Sequence, residues 1–336
     1  MLEFLKKLFN YRSEDFFPGV IAETEPSSNV HLFEEGVARA NQPKFAVKKL
    51  TELRKFLYQF QDGSSSCVAF SMAKIAQILY FLITGRNIKF SPGFYYTQRP
   101  NKPNLGMWFQ DITALAYLGS CLYDLMPCEG ISEDDMNALK VEQYHKDSAD
   151  AFSIPLNWIS LERNGKPDFD LVASTIETTN KPVMIWVSFG PQEFFGTSYP
   201  KVLGDNKPWA HSIVAVDAFT NIKDGKQYIK IEDSADKETL YEKYIDRAFF
   251  DSRCWLARNP INFKFIKSTV PPYTRTTASM QDILKALGYF PVNQQSTGYW
   301  GSITDMAVIE FCKNFGIAFV TGRKMWPELE QKLLTF

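Results

Sequence analysis

The chain has 336 residues, 45% of them apolar and 22% charged, and a formal net charge of −1. That balance is globular and long enough for about two domains. It gives no general attraction to nucleic acid or to an anionic membrane, and no run approaches the roughly 18 apolar residues of a membrane helix.

The opening "MLEFLKKLFN" is broken by Lys6 and Lys7 and lacks the continuous apolar stretch of a secretory signal, so no signal peptide is expected. Residues 1–45 are turn-rich ("EPSSNV", "ANQPK") and are expected to form an arm lying on the body. Residues 66–84 read as one long helix, with Ser65 and Ser66 as cap candidates and Gly85 as the stop. Its apolar residues occupy nearly every side, which predicts burial between two layers. "MWFQDITALAYLG" (107–119) and "DFDLVASTIETT" (168–179) are further helical patterns.

From Pro182 the period changes. "PVMIWVSFG", "HSIVAVDAF" and "QYIKIEDS" are short runs rich in β-branched and aromatic residues, bounded by Gly, Pro and Asn. Helices first and strands later predict an α+β fold. "STVPPYTRTT" (268–277) reads as a linker, and 278–336 as a small helical unit.

The available chemistry is narrow. Five cysteines (Cys67, Cys121, Cys128, Cys254, Cys312) are odd in number and form no CxxC pair. They suit neither a disulfide framework nor a zinc site, and they fit a reducing compartment. With only His31, His145 and His211, no HExxH and no phosphate loop, no metal and no cofactor are expected. Two features remain: Cys67 where three serines give way to a helix, and His211 at a strand start. A thiolate at a helix N-terminus is favoured by the macrodipole, and a neighbouring imidazolium strengthens the effect.

Either residue alone reads more readily as structural. Asp233 alters the weighing. If the strands pair across a loop of about five residues centred on Ile222, His211 lies opposite Asp233 and the two can share a hydrogen bond. Ile213, Ala215, Ile229 and Ile231 then share the catalytic face, with Val214, Val216, Tyr228 and Lys230 on the other. A tight Asp224-Gly225 turn would instead pair Asp233 with Val216. Both registers stay open at this point.

These residues resemble the papain-like cysteine peptidases, in their bacterial and phage branch, over about residues 50 to 258. The segment "QDGSSSCVAFS" resembles the family's nucleophile motif, and His211 follows Cys67 by 144 residues. "HSIVAVDAF" and "YIKIEDSAD" resemble the histidine and asparagine strands. The resemblance implies a two-lobe fold, with a helical lobe built on a long central helix and an antiparallel β lobe. It implies Cys67 as nucleophile, His211 as base and then acid, Asp233 as the residue orienting it, and Gln61 as oxyanion donor beside the Cys67 N–H. Gly106 and Met107, at a glycine turn, and Ala210, beside the histidine, would line the substrate cleft.

Several positions depart from the family. Ser64 stands where secreted relatives carry a disulfide cysteine. Val68 replaces the tryptophan after the nucleophile. Ala235 and Asp236 replace the Trp-Gly that shields the histidine's partner, which predicts a bond more open to water. No long inhibitory propeptide is expected within some 50 residues.

The tail, "MQDILKALGYFPVNQQSTGYWGSITDMAVIEFCKNFGIAFVTG", resembles the small three-helix peptidoglycan-binding domain, through Leu284, Gly288, Tyr289, Gly298, Tyr299, Gly301, Thr304, Ala307, Val308, Phe311 and Gly316. Sugar binding there would use aromatic faces such as Tyr299 and Trp300. The expected organisation is an arm (1–45), a peptidase domain (46–265) and the helical domain (278–336). Expected partners are a peptide or protein substrate and cell-wall glycan, with no nucleic acid and no membrane. The expected location is the cytoplasm of a host, or a virion if phage-encoded. Three readings are carried: an active endopeptidase, a catalytically weak or inactive structural or binding protein such as a phage particle component, and a cell-wall lysin.

Overall fold

The apolar run that begins at Cys67 forms a helix, α1 (Cys67–Thr84), in the computed structural model. The structure describes residues 20–21, 30–32, 43–46, 58–61, 63–84, 87–152, 157–261, 273–287, 289–291, 294–322 and 324–334. Every residue of α1 from 67 to 80 is buried, as an all-round apolar helix demands. The expected stop, Gly85, lies outside the described residues.

The remaining helices are α2 (Pro92–Tyr96), α3 (Phe109–Ala116), α4 (Glu133–Ala138), α5 (Gln143–Ala151), α6 (Phe169–Thr179), α7 (Pro191–Phe194), α8 (Arg247–Arg253), α9 (Thr277–Ala286), α10 (Ser302–Phe315) and α11 (Pro327–Leu333). The strands are β1 (Val20–Ile21), β2 (Val30–Leu32), β3 (Met107–Trp108), β4 (Asn157–Ser160), β5 (Glu162–Arg163), β6 (Lys166–Pro167), β7 (Val183–Phe189), β8 (Trp209–Thr220), β9 (Gln227–Glu232), β10 (Glu242–Asp246) and β11 (Cys254–Ile261).

A seven-stranded sheet runs β10-β9-β8-β7-β11-β4-β2, antiparallel except where β2 meets β4. Side-chain alternation divides its core. Val183, Ile185 and Val187 of β7 and Ile213 and Ala215 of β8 join Ile229 and Ile231 in a cluster with α6. Met184, Trp186, Val214 and Val216 point the other way, into the cluster built on α1. The alternation expected for β8 is observed, but Cys67 belongs to the cluster of Val214 and Val216, not to that of the face expected to be catalytic.

The hairpin register differs from expectation. The loop is six residues, 221–226, holding both Ile222 and the Asp224-Gly225 pair. Asn221 N–H donates to Lys226 O, and Gly225 N–H donates to Asn221 O. A bulge lies between Ala215 and Asp217, and the ladder ends with Val214 opposite Glu232. Continued, it would set Asp233 across from Ile213 rather than His211. The loop is centred further along the chain than expected and shifts the pairing by three positions, and the bulge takes one back; neither leaves a periodic signal.

The pattern at 107–119 also divides. Met107 and Trp108 are extended, and the helix occupies only 109–116. Asp111 accepts from the Trp108 N–H at 2.9 Å, which fixes the helix start two residues late. Helices do not simply precede strands either: β4, from the first half, joins the large sheet.

Two described pieces of the N-terminal arm lie on the body, as expected. β1 pairs in parallel with β3, Val20 beside Met107 and Ile21 beside Trp108. β2 extends the large sheet. Half of the expected linker at 268–277, residues 268–272, lies outside the described residues. Beyond it, α9, α10 and α11 enclose a third apolar cluster. The Tyr80 hydroxyl, late in α1, donates to Leu287 O at 2.7 Å. At about 1.5 Å per residue, this contact lies some 20 Å along α1 from Cys67.

Candidate active site

Cys67 is the first residue of α1, where backbone N–H groups lack intrahelical partners. The turn before it is held by its own serines and by Glu133. Ser64 Oγ donates to Gln61 O at 3.2 Å and lies 2.6 Å from Ser66 Oγ, and the Ser65 N–H donates to Glu133 Oε2 at 2.7 Å. Gly63 adopts φ +87°, and a side chain there would meet the Ile131 carbonyl at 3.1 Å. This requirement accounts for the glycine in "QDGSSSC".

His211 lies on β8 and Asp233 just past β9. The His211 Nε2–H donates to Asp233 Oδ1 at 2.7 Å, and both side chains are fully buried. A carboxylate only accepts, so Nε2 carries the proton and Nδ1 is the ring's free edge. Nδ1 has no hydrogen-bond partner in this structure, and Cys67 is near enough for its charge to act on the ring. Such contacts are often loose before substrate binds.

Burial alone would lower the imidazole pKa. The Asp233 charge and hydrogen bond, with Cys67 adding to them, override it and raise the value to about 10. Burial works in the opposite sense on Asp233, and His211 and Lys243 outweigh it to hold the carboxyl below its usual range.

The bond is better sheltered than the loss of Trp-Gly predicted. The Phe189 and Phe194 rings stand edge-on to the imidazole at 6.3 and 6.0 Å. The Tyr58 hydroxyl donates to Asp236 O at 2.6 Å, and the Tyr58 ring leans on Tyr241. Asp233 is pinned by its own N–H to Tyr241 O and by the Ala235 N–H on Oδ1. Having left the ladder at Glu232, it turns back and meets His211 without being opposite it.

Gln61 is buried and tied to the same turn. Its backbone N–H donates to Ser234 O, its Oε1 accepts from Ser234 Oγ, and its Nε2 donates to Ser64 O at 2.8 Å. An amide nitrogen has two hydrogens, so one bond leaves a second available. Gly106 has φ +74°, and its N–H donates to the Tyr96 hydroxyl. Met107 is buried, and Ala210 is half-buried against the α1 cluster. The edge at Met107 and Trp108 is the one β1 occupies, and β1 also lies against β8. Cys67 is only 1% exposed.

The other histidines are not assembled here. His145 accepts from the Glu142 N–H at the start of α5, and His31 lies on β2. Sequence reasoning missed Lys243, a wholly buried ammonium 3.6 Å from Asp233 Oδ2. Its only signal was a lysine at an inward position of "EKYID".

Xylellain, a cysteine protease from Xylella fastidiosa, superposes with a TM-score of 0.58, over 72% of this chain and 95% of its own, at 15% identity. The chain has a papain-like fold. Two further structures have TM-scores of 0.49. The ragweed pollen allergen Amb a 11, a cysteine protease in its proform, is 16% identical over 68% of this chain and 67% of its own. Bromelain from Ananas comosus, in complex with E64, is 11% identical over 63% of this chain and 97% of its own. Residues 276–323 match the peptidoglycan binding domain family. No curated protein matches the chain.

In the peptidoglycan-binding-like region, Gln281 explains part of the pattern. Its Nε2 donates to Tyr299 O and Thr304 Oγ1, and its Oε1 accepts from the Gly298 N–H. The two aromatics divide: Tyr299 is 71% exposed, whereas Trp300 is buried and donates Nε1–H to Asp305. Trp300 is therefore core, contrary to expectation, because its indole N–H finds an internal acceptor. No helix among the described residues is long and apolar enough to cross a membrane.

Proposed function

We propose that the chain is a cysteine endopeptidase. The observation that carries this reading is the 2.7 Å His211–Asp233 bond, which leaves Nδ1 free for a thiol at the start of α1. The Cys67 thiolate attacks the peptide carbonyl and forms a tetrahedral oxyanion. The Cys67 N–H and the Gln61 amide donate to that oxygen. Imidazolium His211 protonates the departing amine, leaving a thioester. Neutral His211 then takes a proton from water, which cleaves the thioester and regenerates the thiolate. Asp233 holds the ring in the required tautomer throughout.

Gly106, Met107 and Ala210 border the cleft that would receive the peptide. The reading is tested by incubating the wild type and Cys67→Ala with a mixture of unstructured peptides. Cleavage by the wild type alone supports it, and cleavage by neither, with or without residues 1–42, contradicts it.

A second reading, a wall-associated protein, is favoured by the match at 276–323 and by the exposed Tyr299. It is compatible with the first: the region would deliver the peptidase to glycan. Co-sedimentation with purified cell wall tests it.

A further inference from the structure

Lys243 occupies β10, and its side chain is completely buried behind Asp233. Its Nζ is 2.8 Å from Asp236 Oδ2, 3.6 Å from Asp233 Oδ2, and donates to Thr197 O at 3.2 Å. The Phe194 ring that stands beside His211 also lies 4.9 Å from this ammonium. Lysines are almost never fully buried unless paired. Asp233 Oδ1 serves His211 and Ala235, whereas Oδ2 accepts no hydrogen bond and faces Lys243.

An asparagine at this position would need no countercharge, but a buried carboxylate does. We propose that Lys243 is a positioning residue: fixed by Asp236 and Thr197, its ammonium supplies the charge that lets a buried carboxylate orient His211. The activity measurements rest on the peptidase reading given above. Among the described residues, the other charged or titratable groups at this corner include His211 from β8, with Cys67 acting on its ring, Tyr58 from the segment before α1, Tyr241, and Glu232 with its partner Lys74 at 3.0 Å.

The test is a set of substitutions in the full chain. Lys243→Met should lower kcat by about tenfold to a hundredfold with little change in KM, because misorientation of a reacting group costs on that order. Removing a positive charge raises neighbouring pKa values, so both limbs of its pH profile should move to higher pH. Adding Asp233→Asn to Lys243→Met should restore most of the loss, since the amide needs no countercharge. Adding Asp236→Asn instead should not.

Wild-type kcat and pH profile in Lys243→Met would overturn the proposal, as would rescue by Asp236→Asn and not by Asp233→Asn. If Lys243→Met does not accumulate folded, the same pattern of rescue is read from the yield of folded protein. Failure of the peptidase reading is seen separately, as a wild type that cleaves no peptide. The His211 ring titration, followed by nuclear magnetic resonance, then decides: Lys243→Met should raise its pKa, and no change would overturn the inference.

Discussion

His211 and Asp233 are joined by a 2.7 Å hydrogen bond although they are not cross-strand partners. The bond exists because Asp233 has left the ladder and is held back against β10 by the Tyr241 carbonyl. Hydrogen bonding, charge and orientation can therefore be separated by substitution at one position.

Asp233→Asn should retain activity within about tenfold, because an amide can still accept from Nε2, whereas Asp233→Ala should lose about a hundredfold as the ring loses its orientation. The sign of the pH effect is fixed by the carboxylate. Asp233 raises the imidazole pKa, so the alkaline limb of kcat/KM in Asp233→Asn should move to lower pH. Equal damage from Asn and Ala would mean that the charge carries the role.

The pairing of β1 with β3 covers the edge at Met107 and Trp108. Proline at position 21 has no N–H and disfavours strand pairing. Ile21→Pro, or removal of residues 1–42, should increase peptide hydrolysis severalfold and speed alkylation of Cys67. Unchanged rates in both would show that this segment does not guard the cleft. The expectation that no long inhibitory propeptide fits within some 50 residues leaves room for this, because a two-residue parallel pair needs little chain.

Gln61→Ala should lower kcat by about 10²–10³-fold, with KM less affected, if its amide stabilises the oxyanion. Because Gln61 also joins the turns at Ser64 and Ser234, the melting temperature should be measured in parallel. A fall in kcat explained by unfolding would remove Gln61 from the chemistry.

In the C-terminal region, Tyr299→Ala should weaken co-sedimentation with purified wall, since its ring is the exposed one. Identical sedimentation of the two proteins would place glycan contact elsewhere.

Much of this was legible in residue order because it depends on periodicity. The all-round apolar run gave α1, and alternation gave the opposite faces of Ile213 and Val214. The hairpin register was not legible, because a bulge and a six-residue loop carry no repeating signal. Lys243 was hidden for a related reason: a lysine at an inward strand position declares its partner only once β10 lies against the Asp233 turn. The shelter around His211 was missed because Phe189, Phe194 and Tyr58 come from three separate segments.

The central claim is that Cys67 is the reacting thiol. Burial pushes the thiols of Cys121, Cys128 and Cys312 up to about 11, and that of Cys254 is also raised, so none of these four should react readily near neutral pH. The most direct measurement is treatment of the protein, with and without residues 1–42, with a peptidyl epoxide, followed by mapping of the adduct by mass spectrometry. The account predicts one adduct, on Cys67, formed in proportion to the loss of peptide hydrolysis and absent from Cys67→Ala. An adduct on Cys128 or Cys254 at a comparable rate, or labelling that Cys67→Ala leaves unchanged, would contradict it.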